Sequence, residues 1–272
     1  MSDAAESARF VELPDRGVTL CVARGGTPNV DTARPLVVLN GTGSDLRNRP
    51  NAVEWPVARQ FEVLTLDHRC LGRSQQHDPD YQPTMADFAQ DLLALCDAEG
   101  IDEFDLLGVS FGGMVAQEVA IAAGRRVVSL VLCCTSSGGG GGASYPLHEI
   151  YERGENGADM IYRWDNRATT DKLIEAQLLR SYNERPRPAE PPPGLLKQIE
   201  ARRHHDTWDR LDQIEADTFI ACGEFDDVAP VDNSRKLAQR IHGAEVASFD
   251  GGHFFLRQDR TAWAHIIDFL TT

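Results

Sequence analysis

The chain has 272 residues, of which 42% are hydrophobic and 25% are charged. That length and composition allow one domain with an insertion, or at most two domains, around a substantial core. The formal net charge of -15 and the pI near 4.9 make a nucleic acid or an anionic membrane an unfavourable partner. We therefore expect a small-molecule partner, and leave open whether the chain forms a homo-oligomer.

The sequence carries no sign of a membrane span or an export signal. No apolar run approaches about eighteen residues, and residues 1–6 lack the basic and apolar regions of a secretory signal. We therefore expect a cytoplasmic protein. The six cysteines show no metal-ligand spacing with histidine, and we expect reduced packing residues and no metal. They are Cys21, Cys70, Cys96, Cys133, Cys134 and Cys222.

Strands alternate with helices through most of the chain. The runs 10–13 and 18–23 flank a turn at 14–17 and predict an opening hairpin. Continuous or alternating apolar runs predict further strands, and apolar residues at helical spacing predict the helices between them. The predicted strands are 36–39, 63–66, 104–109, 127–134, 219–223 and 244–249, and the clearest helices are 85–98 and 114–123. This alternation is typical of the α/β class, with helices on both faces of a mostly parallel sheet.

The alternation breaks between residues 135 and 216. Five consecutive glycines, 138–142, predict a flexible entry to this region, because glycine accepts almost any backbone conformation. A proline-rich run at 185–193 interrupts the helical patterns that follow at 147–153, 158–164, 171–182 and 195–205. We assign 1–135 and 216–272 to a core domain and 136–215 to an inserted helical cap. The alternative is a mobile surface insertion without catalytic bearing.

The stretch Gly108-Val109-Ser110-Phe111-Gly112 lies between a predicted strand and a predicted helix. In that context Gly-x-Ser-x-Gly forms a sharp turn that exposes the serine hydroxyl, since the glycines have no Cβ atom in the way. The alternative is an ordinary Ser-Gly loop. A serine becomes a strong nucleophile only beside a base, and that base needs a third group to orient it.

A candidate acid and a candidate base for Ser110 each lie just after a predicted strand. Asp226 lies in the loop after the strand 219–223, and His253 comes directly after the next strand. The carboxyl ends of parallel strands meet at one edge of the sheet, where active sites collect, so we expect these side chains to meet Ser110 there. Glu224 and Asp227 are rivals for the acid role.

These motifs resemble the α/β-hydrolase family over nearly the whole chain outside the insert. Residues 36–43 are similar to the family's strand and oxyanion loop, with Asn40-Gly41 where most members carry His-Gly. Residues 67–74 resemble its Asp-x-Arg-Gly-x-Gly-x-Ser turn, with Cys70 in place of the first glycine. Residues 108–117 resemble the branch that contains 3-oxoadipate enol-lactonases and carboxylesterases. The resemblance implies an α/β-hydrolase fold with a helical cap over the nucleophile.

The resemblance also implies an oxyanion hole and a substrate pocket. Its two backbone N–H donors would be Phe111 and Thr42, with Gly43 as the alternative to Thr42. Arg202 and Arg203 could hold a substrate carboxylate or could belong to a solvated helix face. The candidate pocket side chains from the cap are Tyr162, Trp164, His204, His205 and Trp208. The alternative is a packing role, because aromatic residues at helical spacing more often belong to a core.

We therefore predict a serine hydrolase that cleaves a small ester or (enol-)lactone through an acyl-enzyme, without a metal or organic cofactor. Serine at position 110 argues against the related dehalogenases and epoxide hydrolases, which use aspartate there. Two alternatives remain. The same three residues could cleave a carbon–carbon bond in a dienoic ring-fission product, or the fold could serve as a ligand-sensing binding protein.

Overall fold

The computed structural model of the protein describes residues 8–27, 34–153, 157–184 and 191–272. The strands of the described residues are β1 (Arg9–Leu13), β2 (Val18–Gly25), β3 (Leu36–Leu39), β4 (Val63–Leu66), β5 (Gln75–Gln76), β6 (Phe104–Val109), β7 (Val127–Cys133), β8 (Asp217–Gly223) and β9 (Glu245–Phe249). Their helices are α1 (Met85–Ala98), α2 (Phe111–Ala123), α3 (Leu147–Glu152), α4 (Ile161–Trp164), α5 (Lys172–Asn183), α6 (Pro193–Arg203), α7 (Val231–Arg240), α8 (Phe255–Gln258) and α9 (Thr261–Thr271). Short 3-10 turns connect several of them.

All these strands belong to one sheet, in the order β1-β2-β4-β3-β6-β7-β8-β9, with β5 paired to β2. The pairs β1–β2 and β2–β4 are antiparallel. The strands β4, β3, β6, β7, β8 and β9, in this order across the sheet, are parallel. Every residue of β3 and β4 is buried, as expected for strands covered on both faces. The predicted fold class, a mostly parallel sheet of the α/β-hydrolase kind, is confirmed.

Each face of the sheet has its own hydrophobic core, because successive side chains of a strand point to opposite faces. On β3, Val37 and Leu39 pack into the core that α1 and α2 share. Leu36 and Val38 pack into the opposite core, together with Ile266 of α9. The strands are therefore fixed from both sides, and their carboxyl ends form a rigid edge.

The region between β7 and β8 is helical, as the sequence predicts, and contains α3 to α6. The pattern at 158–164 forms a 3-10 turn followed by the short helix α4. Helix α5 begins after Asp171, whose carboxylate accepts hydrogen bonds from the backbone N–H groups of Leu173 and Ile174. Most of the proline-rich run, residues 185–190, lies outside the described residues. The assignment of residues 136–215 to a cap stays a prediction.

The glycine run does not form the flexible entry that its composition predicts. Gly139–Gly141 form a 3-10 turn that other segments pack against closely. A Cβ atom on Gly138 would lie 1.9 Å from the carbonyl oxygen of His205, and one on Gly141 would lie 1.9 Å from Ser137 Oγ. The expectation was wrong because these glycines are needed for close approach, which composition cannot distinguish from flexibility.

The six cysteines are free thiols, five of them buried, which agrees with the packing role predicted for them. Within the described ranges, none of the helices has both the length and the apolar composition needed to cross a bilayer. Residues 1–6, on which the prediction about an export signal depends, lie outside the described residues.

Candidate active site

Ser110 lies in a sharp turn between β6 and α2. Its backbone has φ 55° and ψ -114°, a positive-φ conformation that residues other than glycine seldom adopt. A Cβ atom on Gly108 would lie 2.5 Å from the carbonyl oxygen of Gly112, and one on Gly112 would lie 2.1 Å from that of Leu39. Both glycines of the motif are thus required by close backbone contacts, and the turn presents the serine at the carboxyl edge of the sheet.

His253 links Ser110 to Asp226. Its Nδ1 atom lies 2.8 Å from Asp226 Oδ2, and its Nε2 atom lies 3.1 Å from Ser110 Oγ. An ionised carboxylate can only accept, so Nδ1 carries the proton and Nε2 is left to accept from the serine hydroxyl. The other carboxylate oxygen of Asp226 accepts from the backbone N–H groups of Val228 and Ala229 at 2.7 and 2.9 Å.

The rival acids have other partners. Asp227 accepts a hydrogen bond from Asn166 Nδ2 at 3.2 Å, and Glu224 accepts one from Ser248 Oγ at 3.3 Å. Asp226, by contrast, is 3% exposed and bonded to His253. The structure therefore brings together the three residues predicted from the strand ends. Their catalytic roles remain a prediction.

Two backbone N–H groups next to Ser110 are available to bind an anion. Those of Thr42 and Phe111 donate to no other group among the described residues. The N–H of Gly43, the alternative to Thr42, donates to Gln198 Oε1 at 2.8 Å and is therefore occupied. The loop lies close to the serine, since a Cβ atom on Gly41 would lie 4.0 Å from Ser110 Oγ. This arrangement favours Thr42 and Phe111 as the two donors.

The oxyanion loop keeps its place although Asn40 replaces the family's usual histidine. Asn40 Nδ2 donates to Thr65 Oγ1 at 3.2 Å, which ties the start of the loop to β4. His68 lies 3.4 Å from the Asn40 carbonyl oxygen and packs edge-on against Phe88 and Phe111. Burial lowers the pKa of His68 to about 4, so this ring stays neutral and serves as packing under the site.

Cys134 is a neighbour of the site that the sequence reasoning did not single out. Its sulfur and a ligand atom each of Asp226 and His253 lie within 4.8 Å of one another. Burial and the nearby Asp226 raise the pKa of this thiol well above its usual range, so it is a neutral packing group. Its position directly after β7, at the same sheet edge as Ser110, was the signal that could have identified it.

Of the residues predicted for the substrate pocket, Trp164 lies next to His253. Its carbonyl oxygen accepts a hydrogen bond from the His253 backbone N–H at 2.5 Å, and its ring packs against Phe254. Tyr162 is 37% exposed, donates to Glu175 and lines a cleft of about 410 Å³ whose walls include neither Ser110 nor His253. Only Trp164 of these two contacts the site.

The other pocket candidates lie elsewhere. His204 is exposed and pairs with Glu200 at 3.0 Å. Trp208 packs against the glycine turn at 139–141 and under the guanidinium group of Arg240. His205 is buried, with Nε2 3.2 Å from the carbonyl oxygen of Ser136. The pocket prediction for Tyr162, His204 and Trp208 is therefore not supported, because their side chains are engaged with solvent or with other segments.

The two arginines near the end of α6 differ. Arg203 is on the solvated face, with a guanidinium nitrogen 3.8 Å from Glu200 Oε2. Arg202 is 8% exposed. The solvated-face interpretation thus holds for Arg203 and fails for Arg202.

The comparisons with known proteins agree with this fold. The family model described as alpha/beta hydrolase fold matches residues 34–259, and the chain belongs to this family of hydrolases. The chain is 28% identical over 289 aligned positions to a 2-hydroxy-6-oxononadienedioate/2-hydroxy-6-oxononatrienedioate hydrolase of Klebsiella pneumoniae, an alignment that covers 97% of this chain and 93% of that one. It is 28% identical over 219 residues to a protein of Azorhizobium caulinodans that carries the name of a carbamate hydrolase, RutD, with 73% and 77% covered.

Solved structures show the same fold. A hydrolase from Pseudomonas aeruginosa PA01 superposes with a TM-score of 0.77 at 25% identity, covering 98% of this chain and 100% of that one. The 98% coverage means that the shared fold includes most of the region between β7 and β8.

Proposed function

We propose that this protein is a serine hydrolase that cleaves a small ester or lactone through an acyl-enzyme intermediate. The observation that carries the proposal is the hydrogen-bonded series Ser110, His253 and Asp226, with contacts of 3.1 and 2.8 Å. Two backbone N–H groups without partners among the described residues, those of Thr42 and Phe111, lie beside the serine. Nucleophile, base, orienting acid and anion donors are thus within reach of one carbonyl group.

The first half of the reaction forms the acyl-enzyme. His253 Nε2 removes the proton of Ser110 as Oγ attacks the carbonyl carbon, and the carbonyl oxygen becomes an oxyanion between the two N–H donors. The start of α2 adds a favourable dipole for that charge. The intermediate then collapses, the bond to the leaving oxygen breaks, and the imidazolium of His253 gives its proton to the departing alcohol or enol.

The second half consumes water. His253 takes a proton from a water molecule that attacks the acyl carbonyl, and the second intermediate releases the carboxylic acid while Ser110 regains its proton. Asp226 holds Nδ1–H throughout and stabilises the imidazolium at each transfer. One water is added for each ester or lactone bond cleaved, and these residues need no further group to complete the cycle.

Hydrolysis of p-nitrophenyl esters and simple lactones tests the proposal. We expect multiple turnovers for the unmodified protein and loss of turnover in Ser110→Ala, since Ser110 carries the hydroxyl that lies at His253 Nε2. A fluorophosphonate probe should add one phosphonyl group to Ser110, as mass spectrometry of the peptide would show. Turnover that survives in Ser110→Ala would remove the serine from the mechanism.

Cleavage of a carbon–carbon bond is the second candidate, and a specific observation favours it. The Klebsiella pneumoniae relative, whose name gives a dienedioate as its substrate, aligns over 97% of this chain. A carbon–carbon hydrolase should bleach a coloured dienoic ring-fission product quickly and act slowly on simple esters. The reverse order of rates supports the ester or lactone reaction.

A ligand-sensing role is the alternative from another class. A sensor that retains the fold should bind a ligand or react once with an activated ester, giving a burst of about one equivalent of p-nitrophenol and no steady state. Sustained turnover with both ester and lactone excludes that alternative. The carboxylesterase or lactonase type is settled by the ratio of the two rates.

A further inference from the structure

Helix α6 directs two long polar side chains, Gln198 and Arg202, into the protein. Gln198 is 0% exposed and Arg202 is 8% exposed. Residues four apart lie on one face of a helix, and the same face contributes Ala201 to the core that α1 and α2 share. Two buried polar groups on the inner face of a helix require an explanation, because burial without partners is costly.

Gln198 places this face of α6 at the oxyanion loop. Its Oε1 atom accepts the hydrogen bond from the N–H of Gly43, the residue after Thr42. Leu195, one turn earlier, also faces this loop, since a Cβ atom on Gly43 would lie 3.3 Å from Leu195 Cδ1. Side chains on a helix lean towards its N-terminus, so the side chain of Arg202 leans from its own turn towards that of Gln198. Arg202 thus lies one turn after Gln198, on the face of α6 that meets the loop beside Ser110.

Among the described residues, the charge of Arg202 has no counterion. The guanidinium group makes no hydrogen bond or ion pair with any of the described residues, and its Nε atom is buried without a partner. The Nε2 atom of Gln198 is also buried and without a partner. Burial lowers the pKa of Arg202 to about 10, so the group is still a cation at neutral pH.

We infer that Arg202 and Gln198 form the binding site for a carboxylate on the substrate, separate from the carbonyl group that Ser110 attacks. This inference rests on the proposed function and narrows it to esters or lactones of short dicarboxylic acids. A planar guanidinium group binds a carboxylate through two parallel hydrogen bonds, and the amide of Gln198 offers one more donor. A bound carboxylate would supply the counterion that the free protein lacks. It would also give a chain with net charge -15 a local cation for an anionic substrate.

A matched pair of substrates tests this inference. The anionic member is the p-nitrophenyl monoester of glutaric acid, and the neutral member is p-nitrophenyl 5-methylhexanoate, in which an isopropyl group replaces the carboxylate. The variant is Arg202→Met, which keeps the length of the side chain and removes the charge. The control is Arg203→Met, the same change on the exposed neighbour.

We expect Arg202→Met to lower kcat/KM for the anionic ester by about 100-fold, mainly through KM, and to change that for the neutral ester by less than about threefold. Arg203→Met should leave both values unchanged. Equal losses on the two esters, or no loss on either, would overturn the inference. The Arg202→Met protein should fold, because methionine suits a buried site better than an unpaired cation, and a urea midpoint at or above that of the unmodified protein verifies this.

Calorimetric binding of free glutarate separates this inference from the proposed function. If the unmodified protein hydrolyses neither ester, the proposed function fails by itself, and binding still decides the carboxylate site. Glutarate that binds the unmodified and Arg203→Met proteins but not Arg202→Met supports the site. Equal binding to all three proteins, or to none, overturns it.

Discussion

The backbone of Ser110 is held in a conformation that costs about 1 to 3 kcal/mol in a residue with a side chain. Its neighbours make that conformation unavoidable. The Ser110 N–H donates to the carbonyl oxygen of Cys133 at 2.9 Å, and the Ser110 carbonyl accepts from Thr135 Oγ1 at 2.8 Å and from the N–H of Gly113 at 2.9 Å. The backbone of Ser110 is therefore fixed, and its Cα–Cβ bond is held in the direction that lets the hydroxyl contact His253.

Asp226→Asn tests the predicted role of Asp226 in orienting His253, because it replaces one carboxylate oxygen by an NH2 group. An asparagine amide at this position can donate a hydrogen bond to Nδ1 of His253. The imidazole would then carry its proton on Nε2, and Nε2 could not accept the proton of Ser110. We expect kcat for ester hydrolysis to fall by about 10⁴-fold. Asp227→Asn is the matched control, because its carboxylate bonds Asn166, and its activity should stay within about threefold of the unmodified protein. Comparable losses in the two variants would contradict the assignment.

The burial of the cysteines predicts how many thiols react in the folded protein. Cys21, Cys96, Cys133, Cys134 and Cys222 are each at most 1% exposed, whereas Cys70 is half-buried. Burial raises the pKa of all six thiols. A disulfide reagent at pH 8 should therefore titrate about one thiol in the folded protein, and all of them after unfolding in urea. The fast thiol should be missing in Cys70→Ala, and a second fast thiol in that variant would refute the expectation.

At the scale of elements, the glycine turn after β7 leads into the helical region α3 to α6 through contacts that leave no room for side chains. Two glycines allow this crowding to be measured. Gly138 has φ 69° and ψ -166°, and Gly100 has φ 68°, so alanine meets a positive-φ backbone penalty at both positions and a larger one at Gly138. A Cβ atom on Gly100 would meet nothing within 4 Å, whereas one on Gly138 would lie 1.9 Å from the carbonyl oxygen of His205.

Gly100→Ala should accordingly lower the free energy of unfolding by about 1 to 2 kcal/mol, the cost of the left-handed conformation. Gly138→Ala should lower it by at least about 2 kcal/mol more, because the backbone must move to admit the methyl group. Urea denaturation of the two variants measures the difference. Equal losses would mean that the turn is loosely packed after all.

The sequence predicted the elements that local patterns specify and missed the contacts between distant segments. Strand ends located Ser110, Asp226 and His253, because parallel strands share one carboxyl edge whatever covers them. Helix α6 was different, since its charged residues leave no clear apolar stripe to indicate which face is inside. Arg202 was therefore indistinguishable from Arg203. The glycine run was misread for a related reason, because two of its main partners, His205 and Trp208, lie more than sixty positions further along the chain.

The whole molecule buries two histidines as neutral rings, and this links its stability to pH. Burial lowers the pKa of His68 and that of His205 from 6.5 to about 4. Around His205, the charges of Glu118 and Asp206 oppose this shift and that of Arg210 adds to it, but burial is the largest cause. In the unfolded chain both rings regain their ordinary proton affinity.

Between about pH 6.5 and pH 4, then, the unfolded chain binds protons that the folded protein rejects. The free energy of unfolding should be highest above pH 6.5 and fall as the pH is lowered, by up to about 3 kcal/mol for each ring at pH 4. Urea titrations at pH 7.5 and pH 5 measure the fall. In His205→Gln, which keeps a donor near the Ser136 carbonyl, the fall should be smaller by about 2 kcal/mol.

His242→Gln, a change at an exposed histidine, provides the control, and its fall between the two pH values should match that of the unmodified protein. The comparison isolates burial from the general effect of acid, because carboxylates titrate alike in all three proteins. If His205→Gln lost as much stability as the unmodified protein, His205 would have to be hydrated or protonated in the folded state. The packing of α6 against the carbonyl groups after β7 would then be looser than its contacts indicate.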